Sequence, residues 1–249
     1  MGKESKPGAL QSQNGIPSDQ IMDIPVARAG KRVTLQDSVY NQLRSLLMRG
    51  RFDPGQHLVV QSLATTLQTS TMPVRGALLQ LASEGALEVL PSGTTRVPGV
   101  STEKLEDLCR ARVAIEGLAA ELACSRISPP LIKQLRHLIV DHELSSEVDG
   151  GYPSLEKNQE FHFLIYRASG STVLPQLIEN LWLQYGPYLR LACKNMNAPA
   201  MAPLRVQGTD LHYDIVAALE KGDPPGTREA IGKDISRTVG LLRELIADT

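Results

Sequence analysis

Four polar side chains fall where an apolar pattern leads one to expect core residues. Along residues 154–169, Asn158 and His162 stand one helical turn apart, on the face that carries Leu155, Ile165 and Tyr166. His212 interrupts a stripe of Leu211, Ile215, Val216 and Leu219, and Asp234 lies among Ile231, Ile235, Thr238, Leu241 and Leu245. Burying such groups without partners costs about 2–7 kcal/mol each, so something must compensate. Imidazoles, a carboxylate and an amide oxygen suit a divalent metal, Zn2+, Mn2+, Fe2+ or Ni2+, and helical bundles build such sites from facing helices. A hydrogen-bonded cluster without metal meets the same need. His162, His212 and Asp234 also suit a metal-dependent hydrolase or oxygenase that activates water or oxygen, but no general base accompanies them.

Arg112 is a further intruder, set in the run of Leu105, Leu108, Ile115, Ala119 and Leu122. An inward guanidinium needs an anion. Glu116, one turn on, is one; the carboxylate of a bound effector is the other. Tyr166 and Tyr188 are weaker candidates for the same pocket. His137 and His142 read as exposed helix residues, His57 has no evident partner, and the sequence around Trp182 reads as core and subunit packing.

A second constellation lies at the other end of the chain, in "TSTMPVRGALLQLASEGALEVLPSGTTRV". Ser70 is a natural N-cap and leaves Pro73 in the first turn, where its missing N–H costs little. A short helix precedes it across a brief turn, the pattern of a helix-turn-helix whose second helix enters the DNA major groove. Thr71, Met72 and Arg75 occupy the part that meets base edges, and Arg75 suits guanine or a phosphate. Gly93, Thr94 and Arg96 form a hairpin tip placed to follow the DNA backbone. Residues 31–100 carry seven basic side chains, Arg44 among the DNA-facing candidates, against four acidic ones, a net of +3. Residues 101–249 carry a net of −4.

The elements that must hold these groups are mainly helical. Residues 1–30, rich in Gly, Pro, Ser and Gln, read as a flexible arm. Order begins with a helix capped by Thr34 and ended by Gly50, then the "DPG" turn, the two helices of the motif with a buried stripe of Val74, Ala77, Leu78, Leu81 and Ala82, and a β-hairpin. Six more helices are predicted at 102–125, 129–146, 154–169, 172–196, 207–221 and 226–247, with a loop at 195–204. Three scattered cysteines suit reduced thiols in the cytoplasm, and no apolar run approaches the ~18 residues of a membrane span.

"GRFDPGQHL", "PVRGAL" and "EGALEVLPSG", in that order, resemble the winged helix-turn-helix domain of GntR-family transcriptional regulators. "LEDLCRARVAIEGLAAELA", "NQEFHFLIYRASGS" and "DLHYDIVAALEKGD" resemble the all-helical FCD effector domain of the FadR branch, in its six-helix, VanR-like form. The resemblance implies a DNA-binding domain over 31–100 and an effector and dimerisation domain over 101–249. It further implies a homodimer on a palindromic double-stranded operator, acting as repressor of a metabolic operon rather than as an enzyme. The effector is expected to be a small organic acid, bound with or without a metal; a fatty-acyl effector, as in some relatives, is the alternative.

Departures from the family pattern are local. Thr71 stands where many members have Arg, Gly76 where Glu is usual, and Gln61 where one relative places a DNA-contacting Arg. In the bundle the family's Asp, His, His, His becomes Asn158, His162, His212, Asp234.

Overall fold

The computed structural model describes residues 34–145, 152–203 and 208–247; the arm expected over residues 1–30 lies outside the described residues. Helix α1 (Leu35–Met48) opens on a capping box: the Thr34 hydroxyl accepts from the Asp37 amide, and the Asp37 carboxylate accepts from the Thr34 amide. Val39, Leu43 and Leu47 form its buried stripe, and Gly50, at φ 62, turns the chain away. Strand β1 (His57–Leu58) follows, then α2 (Val60–Thr66) and α3 (Thr71–Ser83). Gln68, between the two helices, takes a left-handed φ of 50, a conformation that costs a side-chain-bearing residue roughly 1–2 kcal/mol. The hairpin β2 (Glu88–Val89) and β3 (Thr95–Arg96) closes through Gly93 at φ 78. β1 pairs with β3, so the wing has three strands in the order β1-β3-β2 rather than the two predicted.

The remaining helices are α4 (Thr102–Cys124), α5 (Pro129–Ser145), α6 (Tyr152–Ala168), α7 (Leu174–Lys194), α8 (Asp210–Lys221) and α9 (Pro224–Ala247), with a 3-10 turn at Pro199–Met201. They follow the predicted order. The last helix starts two residues before the predicted 226: Pro224 and Pro225 form the first turn of α9, where no amide proton is needed. The chain break comes one step earlier, at Gly222, φ 64.

α7 is the pillar of the molecule. Trp182, Leu183, Tyr185, Tyr188 and Leu189 are buried along it, and Pro187 inside it leaves the Leu183 carbonyl without its usual helical donor. At Gly186 it meets α1 backbone to backbone: a methyl group there would overlap the Leu47 carbonyl. Around that contact Arg44 pairs with Glu179 at 3.0 Å, Arg49 with Glu156 at 3.1 Å, and Asp53 with both Arg190 (2.5 Å) and Lys194 (2.9 Å). These pairs are partly exposed and contribute up to about 1 kcal/mol each. Close packing at the glycine carries more of the junction.

Gly186→Ala is therefore expected to lower unfolding free energy by about 1–3 kcal/mol in urea titrations. Gly240→Ala, on a helix surface with nothing within 4 Å, serves as the control and should be neutral or stabilising. Equal midpoints for the two variants would contradict the backbone contact.

Candidate functional site

The first candidate surface is the exposed face of α3. Val74, Ala77, Leu78 and Leu81 seat the helix on its neighbours. The opposite face projects Met72, 73% exposed, with Arg75 and Gln80. Ser70 holds the N-cap position in extended conformation but its hydroxyl makes no capping bond. A helix N-terminus without a side-chain cap suits an outside acceptor such as a phosphate. No ion pair engages Arg75 among the described residues. Gln61 is exposed on α2, Thr71 half-exposed, and Gly93 and Thr94 lie at the wing tip.

Two expected DNA contacts are placed elsewhere. Arg44 points into the junction, pairing with Glu179 at 3.0 Å and lying 3.8 Å from Glu84, which also accepts from the Tyr40 hydroxyl at 2.7 Å. It is a structural residue because α7, distant in sequence, supplies its anion. Arg96 sits on β3 instead of the tip, with its guanidinium on Glu88 across the strands at 2.7 Å. Sequence reading missed Gln36. A Cβ at Gly76 would come within 2.6 Å of the Gln36 side-chain amide, so Gln36 of α1 lies against α3 at the place the glycine leaves open.

The second candidate lies inside the bundle. His162, His212 and Asp234, on α6, α8 and α9, are buried, and each offers a ligand atom within 4.8 Å of the others. His162 Nε2 is 3.3 Å and His212 Nε2 3.8 Å from the two Asp234 oxygens. Asn158 is half-buried one turn before His162.

Behind His162 runs a chain of polar groups. Arg112 Nε donates to Glu116 at 2.6 Å and Nη2 lies 3.4 Å from the second oxygen. That second oxygen accepts the Tyr166 hydroxyl at 2.5 Å, and the Tyr166 oxygen is 3.2 Å from His162 Nδ1. Arg112 also lies over the rings of Trp182 (4.9 Å) and Tyr185 (4.3 Å). An anionic Glu116 can only accept, so Tyr166 spends its one proton there and must accept from His162. His162 Nδ1 then carries the proton, and a neutral ring presents a bare Nε2 lone pair to the Asp234 carboxylate. Two acceptors at 3.3 Å repel unless a proton or a cation lies between them. The donor set fits a divalent cation, held by His162, His212 and Asp234 with the His162 tautomer fixed from behind.

The expectations for the effector pocket change accordingly. Arg112, 4% exposed, is satisfied by Glu116 and not presented to a ligand. Tyr166 acts through His162. The Tyr188 hydroxyl is taken by the Ser101 backbone, accepting from its amide at 3.3 Å and donating to its carbonyl at 3.1 Å. His142, expected at the surface, has its ring 5.4 Å from that of His212. The signal was available: position 142 continues the buried stripe of Leu135, Leu138 and Ile139 on α5. Trp182 was missed as a site residue, although its ring is 5.8 Å from His162.

Burial drives the titration of these rings. It pushes His212 down to about 3 and His142 to about 4, so both are neutral at physiological pH. For Asp234 burial acts upward, but where a proton rather than a cation lies between it and His162, the hydrogen bond from that ring and the positive charge of a protonated imidazole prevail and hold the carboxyl below its usual range.

Comparison with known proteins matches residues 35–97 to the family "Bacterial regulatory proteins, gntR family" and residues 107–237 to the "FCD domain". The HTH-type transcriptional regulator McbR of Escherichia coli K12 is 31% identical over 212 residues, 85% of this chain and 94% of McbR. The HTH-type transcriptional repressor RspR of the same organism is 24% identical over 217 residues, 86% of this chain and 92% of RspR. The solved structure of E. coli McbR/YncC superposes with a TM-score of 0.78 at 30% identity, covering 86% of this chain and 99% of that one.

The depressed histidines give a pH dependence of definite sign. In the unfolded chain both return to the ordinary value near 6.5, so the unfolded state binds more protons in the interval below it. Stability contributed by the neutral rings is complete above about pH 6.5 and is lost as pH falls toward 4 and 3, with a limit of about 1.4 kcal/mol per pH unit for each ring. Thermal melts of metal-free protein between pH 7.5 and 5 should show falling midpoints, and His212→Phe should flatten the trend.

Proposed function

Since the chain belongs to the gntR family of bacterial regulatory proteins and carries an FCD domain, we propose that it is a homodimeric, ligand-responsive repressor of a metabolic operon, answering to a small organic acid bound in the helical bundle with a divalent cation. That it is a transcriptional regulator and not an enzyme follows from the family itself. Repression draws support from the relative named a repressor, RspR.

On the DNA side, Met72 and Arg75 project from the first two turns of α3, and the open N-terminal amides suit a phosphate. Arg75 is assigned to a guanine edge or phosphate and Met72 to an apolar base contact such as a thymine methyl. One short helix reads few base pairs, so two copies on a twofold operator, with half-sites about one DNA turn apart, supply the specificity. No helix among the described residues is long and apolar enough to cross a membrane, and the place of action is the cytoplasm.

On the effector side, the carrying observation is His162 Nε2 set 3.3 Å from an Asp234 oxygen while its Nδ1 is turned to the Tyr166 hydroxyl at 3.2 Å. A bound cation would act as a Lewis acid with open positions for a carboxylate. His162 and His212 donate neutral nitrogens, Asp234 balances charge, and Tyr166 with Glu116 fixes which His162 nitrogen is bare. The site communicates through α6. Six residues before His162, nearly two turns away, Glu156 pairs with Arg49 at 3.1 Å and Arg51 at 3.6 Å, next to α1. A ligand that prefers one setting of α6 therefore biases the position of the DNA-binding helices, as allosteric coupling requires.

Fluorescence anisotropy with duplexes taken from the DNA flanking the gene tests the DNA half. Wild type should prefer one such duplex over random sequence and weaken steeply with salt. Arg75→Ala should lose roughly tenfold to a hundredfold on that duplex. Equal affinity for flanking and random DNA at moderate salt would sink the regulator-operator reading. A panel of organic acids and acyl thioesters, with and without chelator, tests the effector half by release of the duplex. Release by an organic acid that chelator and His212→Ala both abolish is the expected result; chelator-insensitive release by an acyl thioester overturns it.

A further inference from the structure

The cation trio leaves one neighbouring side chain without employment. His142 projects from α5 toward α8, its ring 5.4 Å from the His212 ring and inclined by 38°. Its Nδ1 is buried and has no hydrogen-bond partner among the described residues. The residue as a whole is only half-buried, so one side of the ring reaches toward solvent while the orphaned nitrogen faces inward. An imidazole nitrogen in that position costs about 1–3 kcal/mol unless something satisfies it. His212 shows the same deficit, its own Nδ1 being buried and unpaired. Around the pair, Phe161 stacks on His212 at 4.4 Å and fills one side with hydrocarbon. His162 stands edge-on to His212 at 5.2 Å and fills another.

We infer that His142 is a fourth functional side chain of the bundle site, contacting the oxygen ligand of the bound divalent cation, be it a water or the carboxylate of an effector. This rests on the cation reading given above. Distance sets the role. His162, His212 and Asp234 bring ligand atoms within 4.8 Å of one another, and His142 does not join that group. It lies beside the trio, its ring 5.4 Å from that of His212 and its inward Nδ1 without a partner among the described residues. A ring there orients the oxygen ligand and raises cation affinity from the outer layer. It also makes α5 part of the sensor. The site then draws on α5, α6, α8 and α9.

The test is titration of Co2+ into metal-stripped full-length protein, followed by visible absorption of the cobalt and by calorimetry. His142→Ala and His142→Gln are compared with wild type, and His137→Ala, an exposed histidine of the same helix, is the control. Both His142 variants are first shown to be folded by circular dichroism and metal-free melting. Cobalt affinity should fall by about tenfold to a hundredfold in His142→Ala, with an altered cobalt spectrum, while His137→Ala overlays wild type. Loss in His142→Ala with partial recovery in His142→Gln supports the assignment. Folded variants that bind cobalt as wild type does, with the same spectrum, overturn the role of His142 and leave the cation trio standing. A wild type that takes up no cobalt removes the trio itself, and His142 with it.

Discussion

A guanidinium and a carboxylate taken out of water lose hydration worth several kcal/mol each, and their mutual attraction restores it only when the surrounding groups complete the set. Arg112 and Glu116 meet that condition with two N–O approaches, a tyrosine hydroxyl on the second Glu116 oxygen, and two aromatic faces against the guanidinium. The pair consumes an arginine that, from sequence, competes for the role of ligand clamp. Its effect is felt one residue further on. By drawing the Tyr166 proton to Glu116 it dictates the tautomer of His162 and so decides what that ring shows to Asp234. In the cation reading proposed above, the ring that faces Asp234 is thus governed in part from α4, away from the ligands themselves.

The same molecule joins two kinds of interaction at its junction. Near Gly186 the contact is steric, with two backbones at the closest approach side chains allow. Around it are charges that water screens: Arg44–Glu179, Arg49–Glu156 and Asp53 with Arg190 and Lys194. A tight backbone contact is thus bordered by screened pairs, and in the coupling proposed above Glu156 is the lever because it shares a helix with His162.

Much of this was legible in the sequence, and the failures have a common cause. Apolar stripes gave the helices in order, and polar residues inside those stripes led directly to His162, His212 and Asp234, because a 3.6-residue period reports which face is buried. His142 obeys that rule too, and applying it to α5 as strictly as to α6 finds it. Arg44 could not be read this way. Its partner Glu179 is 135 residues distant, and local pattern carries no record of which surface a boundary residue will meet. Strand β1, at two residues, is too short for an alternating pattern to register. Arg96 looked like a tip residue because the hairpin was read without the cross-strand register that sets it opposite Glu88.

The glycine in the middle of α7 limits which sensor domain could be joined to the DNA-reading head of this chain. Leu47 presents a carbonyl, not a side chain, to that position. No compensating change on the α1 side can make room for a bulkier residue, since every amino acid at 47 has the same carbonyl. A sensor grafted onto this head would have to bring its own glycine at the matching turn of its pillar helix, or settle for a looser joint through which a distant binding event is transmitted less faithfully.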